Sequence, residues 1–261
     1  ESIICGWPLI NNKLKRYKTK FIPIDSEHFS IWSLINNAKD HNIEKVFITA
    51  SGGPFNNFSL KKFKTITPKL ALNHPNWKMG KKITIDSATM MNKVFEVIEA
   101  KNIFNLSYDK ISILIHPESY VHAILKFNNG LIKIIGHETS MKIPIFNTLY
   151  LDTQKTLKTK TLDIKKLNNL NLNSVEYNRY PAVKLLHNLP KTSSLYETVL
   201  VSVNDELVKL FLEGKIEFTD IFTQLSKINL FNKYKKIKPN NVNKIIELNK
   251  YVRLKIASMS V

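Results

Sequence analysis

Strand-like runs and helical spacing alternate in the first 150 residues of this chain, and from Arg179 onward the spacing is helical alone. This difference limits the possible folds more than any other feature of the sequence. Runs of β-branched and aromatic residues at 45–50 and 111–115 predict buried strands. The runs 122–127 and 131–135 flank Asn128-Asn129-Gly130, which predicts a hairpin because Asn-Gly tolerates the positive φ of a tight turn.

Helical spacing replaces this strand pattern elsewhere in the chain. It predicts a helix over 87–104 with Asp86 or Ser87 as its N-cap. From Arg179 onward the apolar spacing is helical in four segments, namely 182–186, 195–212, 218–225 and 242–257. The predicted fold class is therefore a central α/β (α+β) domain with a small sheet, followed by a C-terminal all-helical bundle.

The length of 261 residues predicts two domains. The stretch 152–178 is polar and rich in Lys, Thr and Asn, so we expect it to link a central domain at 25–151 to a helical domain at 179–261. A hydrophobic content of 43% is enough for a folded core, and no apolar run is long enough to span a membrane. The single cysteine, Cys5, excludes an internal disulfide and fits a reducing compartment.

The net charge of +18 raises the question of nucleic-acid binding. All the basic residues except Arg16, Arg179 and Arg253 are lysines, and they are spread along the whole chain. Nucleic-acid readers rely on arginine and concentrate their charge on one face, so we expect no nucleic-acid partner. A positive field would nevertheless help to capture a small anionic substrate.

Two sets of charged residues are candidates for chemistry. Asp25 and Glu27 lie at i and i+2, so on an extended segment they would clamp one hard divalent cation, whereas at the start of a helix they would cap it. By itself the spacing favours capping. Asn92, Lys93 and Glu96 share one polar stripe of the helix over 87–104, where a solvated Lys93–Glu96 salt bridge is the simplest interpretation.

Three further segments are candidates for binding an anion. The predicted helix start at 86–89 offers free backbone N–H groups and the hydroxyl of Ser87. Ser51 is followed by Gly52 and Gly53, which allow a close backbone approach. The loop 74–82 combines His, Trp, Met and Gly with three lysines, which suits either a lid over a ligand or a surface loop with one buried tryptophan.

Taken in order, these motifs closely resemble the family of 1-deoxy-D-xylulose-5-phosphate reductoisomerase. The strings are Asp25-Ser26-Glu27-His28, Ser51-Gly52-Gly53-Pro54-Phe55, His74-Pro75-Asn76-Trp77-Lys78-Met79-Gly80 and Asp86-Ser87-Ala88-Thr89-Met90-Met91-Asn92-Lys93 with Glu96. The last string is long enough to be highly specific. The resemblance is strong from Glu1 to about Ile145 and fades later, where Arg179-Tyr180-Pro181 still matches.

The resemblance implies an NADPH-dependent oxidoreductase and isomerase of the methylerythritol phosphate route to isoprenoids. It implies that 1-deoxy-D-xylulose 5-phosphate is rearranged with the help of Mg²⁺ or Mn²⁺ and then reduced. The metal ligands would be Asp25, Glu27 and Glu96. The catalytic residues would be these three with Lys93.

The same resemblance assigns the remaining site residues. The substrate would be bound by Ser26, Glu27, Ser51, His74, Trp77, Ser87, Asn92, Lys93 and Glu96. The cofactor would be contacted by Glu1, Gly80 and Met141. The partners implied are the phosphorylated sugar and a second copy of the chain in a homodimer, with no membrane; the compartment would be a bacterial cytoplasm or a plastid.

Two departures from the family pattern bear on activity. The glycine-rich NADPH-binding domain is absent, so residues 1–24 are expected to be its remnant and connection, and the chain to be an inactive fragment of a longer enzyme. Val94-Phe95 replaces the usual Gly-Leu, and Val94 adds bulk beside Lys93 and Glu96. The alternative is a non-catalytic homologue that keeps only a phosphate-binding pocket.

Overall fold

A five-stranded mixed sheet lies at the centre of the first part of the chain. The computed structural model describes residues 1–36, 42–151 and 153–260. The strands are β1 (Ile43–Ala50), β2 (Ile111–Ile115), β3 (Val121–Phe127), β4 (Ile132–Gly136) and β5 (Asn173–Ser174). Their order is β4-β3-β1-β2-β5; β1 and β2 run parallel, and the other neighbours are antiparallel. The predicted β3–β4 hairpin is confirmed, with Gly130 at φ +86° in its turn.

Helices cover the sheet and form the C-terminal part. They are α1 (Ser2–Tyr17), α2 (Ser26–Asn36), α3 (Pro68–Ala71), α4 (Lys81–Thr89), α5 (Met91–Phe104), α6 (Lys142–Leu149), α7 (Ile164–Asn168), α8 (Tyr196–Leu212), α9 (Phe218–Leu225) and α10 (Val242–Ser260). The predicted segment 182–186 is a 3₁₀ helix, Pro181–Asn188. The predicted fold class is confirmed. Within the described ranges, no helix combines the length and apolarity needed to cross a membrane.

The predicted single helix over 87–104 is wrong at its start. Helix α4 begins at Lys81, so Asp86 and Ser87 lie inside it and neither is an N-cap. The break comes at Met90, which adopts a left-handed conformation with φ +64° between α4 and α5. This conformation costs about 1–2 kcal/mol for a residue with a side chain. Burial of Met90, which is 2% exposed, offsets that cost.

The predicted linker is not free of structure. Its segment β5 pairs with β2 and extends the sheet by one short strand, and α7 lies just before it. Residues 152 and 261, which bound the predicted linker and the helical domain, lie outside the described residues. The division of the chain into domains remains a prediction.

A buried polar contact joins the C-terminal helices to α4. Asn204 on α8 donates a hydrogen bond of 2.8 Å to the carboxylate of Asp86, and both side chains are almost fully buried. Lys82 lies 2.9 Å from the same carboxylate and 3.1 Å from Asp205. Burial raises the pKa of Asp86 to about 6, although Lys82 and Asn204 oppose this shift. The position of α4 therefore depends on α8.

Replacing Asn204 by Leu is expected to lower the free energy of unfolding by about 1–3 kcal/mol, because the buried Asp86 carboxylate loses a donor. Urea unfolding followed by circular dichroism measures this change. The control is Asn243→Leu on the exposed face of α10, which should shift the free energy by less than about 0.5 kcal/mol. Equal effects of the two substitutions would show that the buried contact contributes nothing specific.

Candidate active site

Three carboxylates from two helices meet at one point. Asp25 precedes α2, Glu27 lies in its first turn, and Glu96 lies on α5. One oxygen atom of each lies within 4.8 Å of the others. Asp25 also caps α2, since its Oδ1 accepts from the backbone N–H groups of Glu27 and His28 at 3.2 and 3.4 Å. Asp25 therefore both caps α2 and belongs to the carboxylate cluster, two roles that the sequence analysis treated as alternatives.

The ammonium group of Lys93 lies between two of these carboxylates. Its Nζ donates to Oε1 of Glu27 and, at 2.6 Å, to Oε2 of Glu96. Lys93 and Glu96 are 6% and 3% exposed, so the predicted solvated salt bridge is in fact buried. Burial and the charge of Glu27 raise the pKa of Glu96 well above its ordinary value. Burial by itself would lower the pKa of Lys93. The negative charges of Glu27 and Glu96 have the larger effect, so the pKa of Lys93 is raised.

The chemistry of this cluster fits a hard divalent cation. Such ions prefer carboxylate oxygens at about 2.0–2.6 Å, so oxygens on opposite sides of one ion lie roughly 4–5 Å apart. The three acids, with oxygens within 4.8 Å of one another, match that spacing. Ser26 donates its hydroxyl hydrogen to Oε2 of Glu27, which orients the carboxylate. Lys93, paired with Glu27 and Glu96, and His28, whose Nδ1 lies 3.2 Å from Asp25, offset only part of the charge of three carboxylates and leave negative charge for a cation to balance.

The hydroxyl groups of Ser51 and Ser87 both lie next to the imidazole ring of His74. Nε2 of His74 lies 3.2 Å from Oγ of Ser51 and 3.1 Å from Oγ of Ser87. Nδ1 of His74 accepts from the backbone N–H groups of Asn76 and Trp77, at 3.2 and 3.0 Å. The proton of the neutral ring is therefore on Nε2, which donates to the serines.

His74 is uncharged at neutral pH. Burial penalises the imidazolium form, and the charge of Lys93 adds to this, so that the pKa of His74 falls to about 4. A neutral imidazole still donates one hydrogen bond to an anion, but it adds no positive charge. In this group of residues the positive charge comes from Lys93.

The glycine loop after β1 packs directly against Ser87. A Cβ atom on Gly53, whose φ is +64°, would lie 2.9 Å from the carbonyl oxygen of Ser87, so only glycine allows this approach. Tyr180, which is buried, donates from its hydroxyl to the carbonyl oxygen of Gly52 at 2.8 Å. Arg179 donates to the carbonyl oxygens of Phe55 and Phe58. The late Arg179-Tyr180 match thus supports the loop that carries Ser51.

The prediction that residues 86–89 offer free backbone N–H groups at a helix start is wrong, since these residues lie inside α4. Because α5 starts after Met90, the free N–H groups at a helix start are those of residues in its first turn, including Asn92 and Lys93. The side chain of Asn92 donates to Oε1 of Glu96 and so joins this turn to the acid cluster.

One cavity of about 300 Å³ joins the acids to the serines. It is lined by most of the predicted site residues. These are Asp25, Ser26, Glu27, Ser51, His74, Trp77, Ser87, Asn92, Lys93, Glu96 and Met141. A larger cavity of about 1010 Å³ lies beside β1, β2 and the 3₁₀ helix at 181–188 and shares none of these residues.

Two predicted residues do not line this cavity. Gly80 is the N-cap of α4, and nothing lies within 4 Å of the place where its Cβ would be. Glu1 is half exposed, and its carboxylate is 2.6 Å from Lys82. Glu1 borders a neighbouring cavity of about 440 Å³ that also reaches Asp25 and Glu96. Contacts of Glu1, Gly80 and Met141 with a cofactor remain predictions.

Sequence reasoning missed three polar residues of this cavity, Thr49, Ser119 and His122. Ser119 has φ +52° and accepts a hydrogen bond of 2.8 Å from Asn76, which ties the loop after His74 to the turn before β3. A histidine at a buried position of an apolar strand is a signal that would have identified His122. No local pattern marks Ser119.

Val94, which the sequence places beside Lys93 and Glu96, does not line the cavity. Its side chain is fully buried and belongs to the apolar core beneath α5. Lys93, the residue before it, pairs with both Glu27 and Glu96.

Comparisons with known proteins agree with this geometry. Residues 21–104 match the profile of the 1-deoxy-D-xylulose 5-phosphate reductoisomerase C-terminal domain, and residues 137–255 match that of the DXP reductoisomerase C-terminal domain. The chain is 63% identical to the 1-deoxy-D-xylulose 5-phosphate reductoisomerase of Pelagibacter ubique, over 100% of this chain and 68% of that protein. It is 42% identical to the enzyme of the same name from Sulfurihydrogenibium, over 85% of this chain and 58% of that protein.

Solved structures give the same result. The reductoisomerase from Zymomonas mobilis in complex with NADPH has a TM-score of 0.87 and 31% identity, covering 99% of this chain and 66% of that one. A DOX-P reductoisomerase in complex with NADPH, fosmidomycin and magnesium has a TM-score of 0.88 and 30% identity, covering 99% and 67%. This chain thus spans about 58–68% of the length of these relatives. It belongs to the 1-deoxy-D-xylulose 5-phosphate reductoisomerase family.

Proposed function

We propose that this chain carries the metal-binding and substrate-binding part of an enzyme that converts 1-deoxy-D-xylulose 5-phosphate to 2-C-methyl-D-erythritol 4-phosphate with NADPH. The reaction belongs to non-mevalonate isoprenoid biosynthesis. The observation that carries the proposal is that one cavity has three clustered carboxylates at one end and paired hydroxyls at the other. The substrate has the matching polarity, with a carbonyl and hydroxyls at one end and a phosphate at the other.

At the acid end, Asp25, Glu27 and Glu96 would hold Mg²⁺ or Mn²⁺. When bound, the divalent cation supplies Lewis-acid polarisation of the substrate oxygens, and NADPH supplies hydride. The protein holds the acids in place beforehand, since Lys93 pairs with Glu27 and Glu96, and His28 contacts the main-chain oxygen of Glu96 at 2.9 Å. The carboxylates therefore need little reorganisation to bind a cation.

At the other end, donors are arranged for a phosphate group. The hydroxyls of Ser51 and Ser87, the Nε2–H group of His74 and the first turn of α5 lie around the same part of the cavity. Lys93 adds positive charge between the two ends. Trp77, in the loop that starts at His74, would cover the substrate and exclude water, and Ser26 would contact the substrate beside the metal.

The edge of the sheet supports a homodimer. Strand β4 is the edge strand, and its side chains Ile132 and Ile134 are 61% and 50% exposed. Leu131, next to them, is 56% exposed. An apolar edge strand of this kind is a ready surface for pairing with another strand. We propose that a second copy of the chain covers it.

The metal site is tested by Glu96→Gln. The substitution removes one of the three charged ligands, so the affinity for Mn²⁺ should fall at least about tenfold. Isothermal titration with Mn²⁺ measures the change. Glu44→Gln, which alters an exposed glutamate on β1, is the matched control and should leave the affinity unchanged. Unaltered Mn²⁺ binding by Glu96→Gln would contradict the proposed site.

The phosphate end is tested by Ser87→Ala. In the presence of Mg²⁺, the affinity for 1-deoxy-D-xylulose 5-phosphate should fall about tenfold or more, because a hydrogen bond to a charged group is lost. The affinity for Mn²⁺ alone should not change, which separates this end from the acids. Ser258→Ala, on the last turns of α10, is the control. Equal substrate affinity of Ser87→Ala and the unaltered chain would place the phosphate elsewhere.

The dimer is tested by Ile134→Lys. A charge in the middle of the β4 edge should prevent strand pairing, so analytical ultracentrifugation should show a shift from dimer to monomer. Leu254→Lys changes a residue of α10 that is 73% exposed and should leave the dimer intact. A dimer that survives Ile134→Lys would exclude this edge as the interface.

A further inference from the structure

Strand β3 carries an irregularity at His122. Val121 is opposite Gly136 on β4, whereas Ala123 is opposite Ile135, so His122 is an extra residue with no partner in the register. Such a bulge turns a side chain away from the regular alternation of the strand. His122 lines the cavity between the acids and the serines.

A second histidine stacks on His122. The ring of His137, the residue that follows β4, lies 3.8 Å from the ring of His122 between centroids, with 21° between the planes. The ring of Phe29 on α2 lies edge-on to the His137 ring, with 6.5 Å between the centroids. The backbone N–H of His137 donates to the carbonyl oxygen of Tyr120 at 2.9 Å. His137 is 8% exposed, so the surrounding residues hold its ring in place.

The hydrogen bonds of this pair define the proton positions. Nε2 of His122 lies 3.1 Å from the main-chain oxygen of His137, and because a carbonyl oxygen only accepts, Nε2 carries the proton. Nδ1 of His122 is then a hydrogen-bond acceptor. Likewise Nδ1 of His137 donates to the carbonyl oxygen of Glu138 at 2.7 Å, and its buried Nε2 has no protein partner among the described residues.

Burial favours the neutral form of both His122 and His137. It lowers the pKa of His122 to about 3, and the neighbouring His137 adds to this effect. Burial also lowers the pKa of His137. A neutral His122 with a free Nδ1 lone pair accepts a hydrogen bond from a hydroxyl group and offers no proton to an anion.

We propose that His137 is a positioning residue for His122. Its ring fixes the plane of the His122 ring, and its main-chain carbonyl fixes the tautomer, so that Nδ1 of His122 is an acceptor for a hydroxyl group of the ligand. The identity of that ligand rests on the proposed function, whereas the state of His122 in the ligand-free chain does not.

Nitrogen NMR of the ¹⁵N-histidine-labelled chain tests the proposal without any ligand. The unaltered protein should show His122 as a single tautomer with the proton on Nε2, and His122→Gln assigns the signal. His137→Phe keeps an aromatic ring and the carbonyl, so the His122 signals should stay the same. His137→Leu keeps the carbonyl but removes the stacked ring that holds Nε2 of His122 against it, so that hydrogen bond should weaken and the His122 signals should shift toward a mixture of tautomers.

His137→Ala is a second variant with the same expected result as His137→Leu, and either folded protein decides the question. His187→Ala, which alters an exposed histidine of the C-terminal part, is the control and should leave the His122 signals unchanged. An unaltered His122 tautomer in the folded Leu or Ala variant would overturn the proposal, even if the melting temperature had fallen.

A titration in Mg²⁺ adds a functional measurement. His137→Leu should bind 1-deoxy-D-xylulose 5-phosphate about fivefold more weakly, the effect of one hydrogen bond, while the affinity for inorganic phosphate stays the same. Equal losses for both ligands would contradict the proposed hydroxyl contact. If the unaltered chain binds neither ligand, the proposed function fails, and the NMR result still decides the role of His137.

Discussion

The site depends on the buried contact between Lys93 and the carboxylates of Glu27 and Glu96. Three carboxylates within 4.8 Å of one another repel, and without a cation this repulsion would separate α2 from α5. The ammonium group of Lys93 balances part of the charge. His28 adds a second positive charge: burial opposes its charged form, but Asp25, 3.2 Å from Nδ1, outweighs this and raises the pKa of His28 to about 10. Its Nε2 also contacts the main-chain oxygen of Glu96, and so the two helices stay together whether or not a divalent ion is present. Removing one partner of such a buried pair costs more than the pair contributes.

Much of this arrangement could be predicted from residue types and spacing. The strand runs, the Asn-Gly turn and the C-terminal helices are local patterns, and local propensity agrees with the final fold at each of them. Asp25 was ambiguous for a physical reason. A carboxylate just before a helix satisfies backbone N–H groups with one oxygen and leaves the rest of its acceptor capacity for another partner, so capping does not exclude a ligand role. Spacing within one segment cannot show that Glu96, on another helix, comes to the same point.

Other features could not be predicted because packing overrides local preference. The apolar spacing across Met90 looks continuous, yet the chain turns left-handed there, and only the surrounding core makes that conformation favourable. The bulge at His122 depends on the register between β3 and β4, which no short segment encodes. Helix α1 has Gly6 and Pro8 within it, which argue against a helix from propensity alone; burial of Ile4 helps to hold it in place.

The two ends of the cavity are built by different layers of the fold. Helices α2 and α5 hold the acids, whereas the loop after β1 and helix α4 hold the serines. His74 connects the parts at the second end, because its single Nε2–H group faces both Ser51 and Ser87. One proton cannot satisfy two hydroxyls fully, so at least one serine keeps hydrogen-bonding capacity for a ligand. Meanwhile Tyr180 and Asn204, from the C-terminal part, support the glycine loop and α4 from behind. The helical part thus acts on the site through the glycine loop and α4, which carry Ser51 and Ser87, although none of its described side chains lines the cavity.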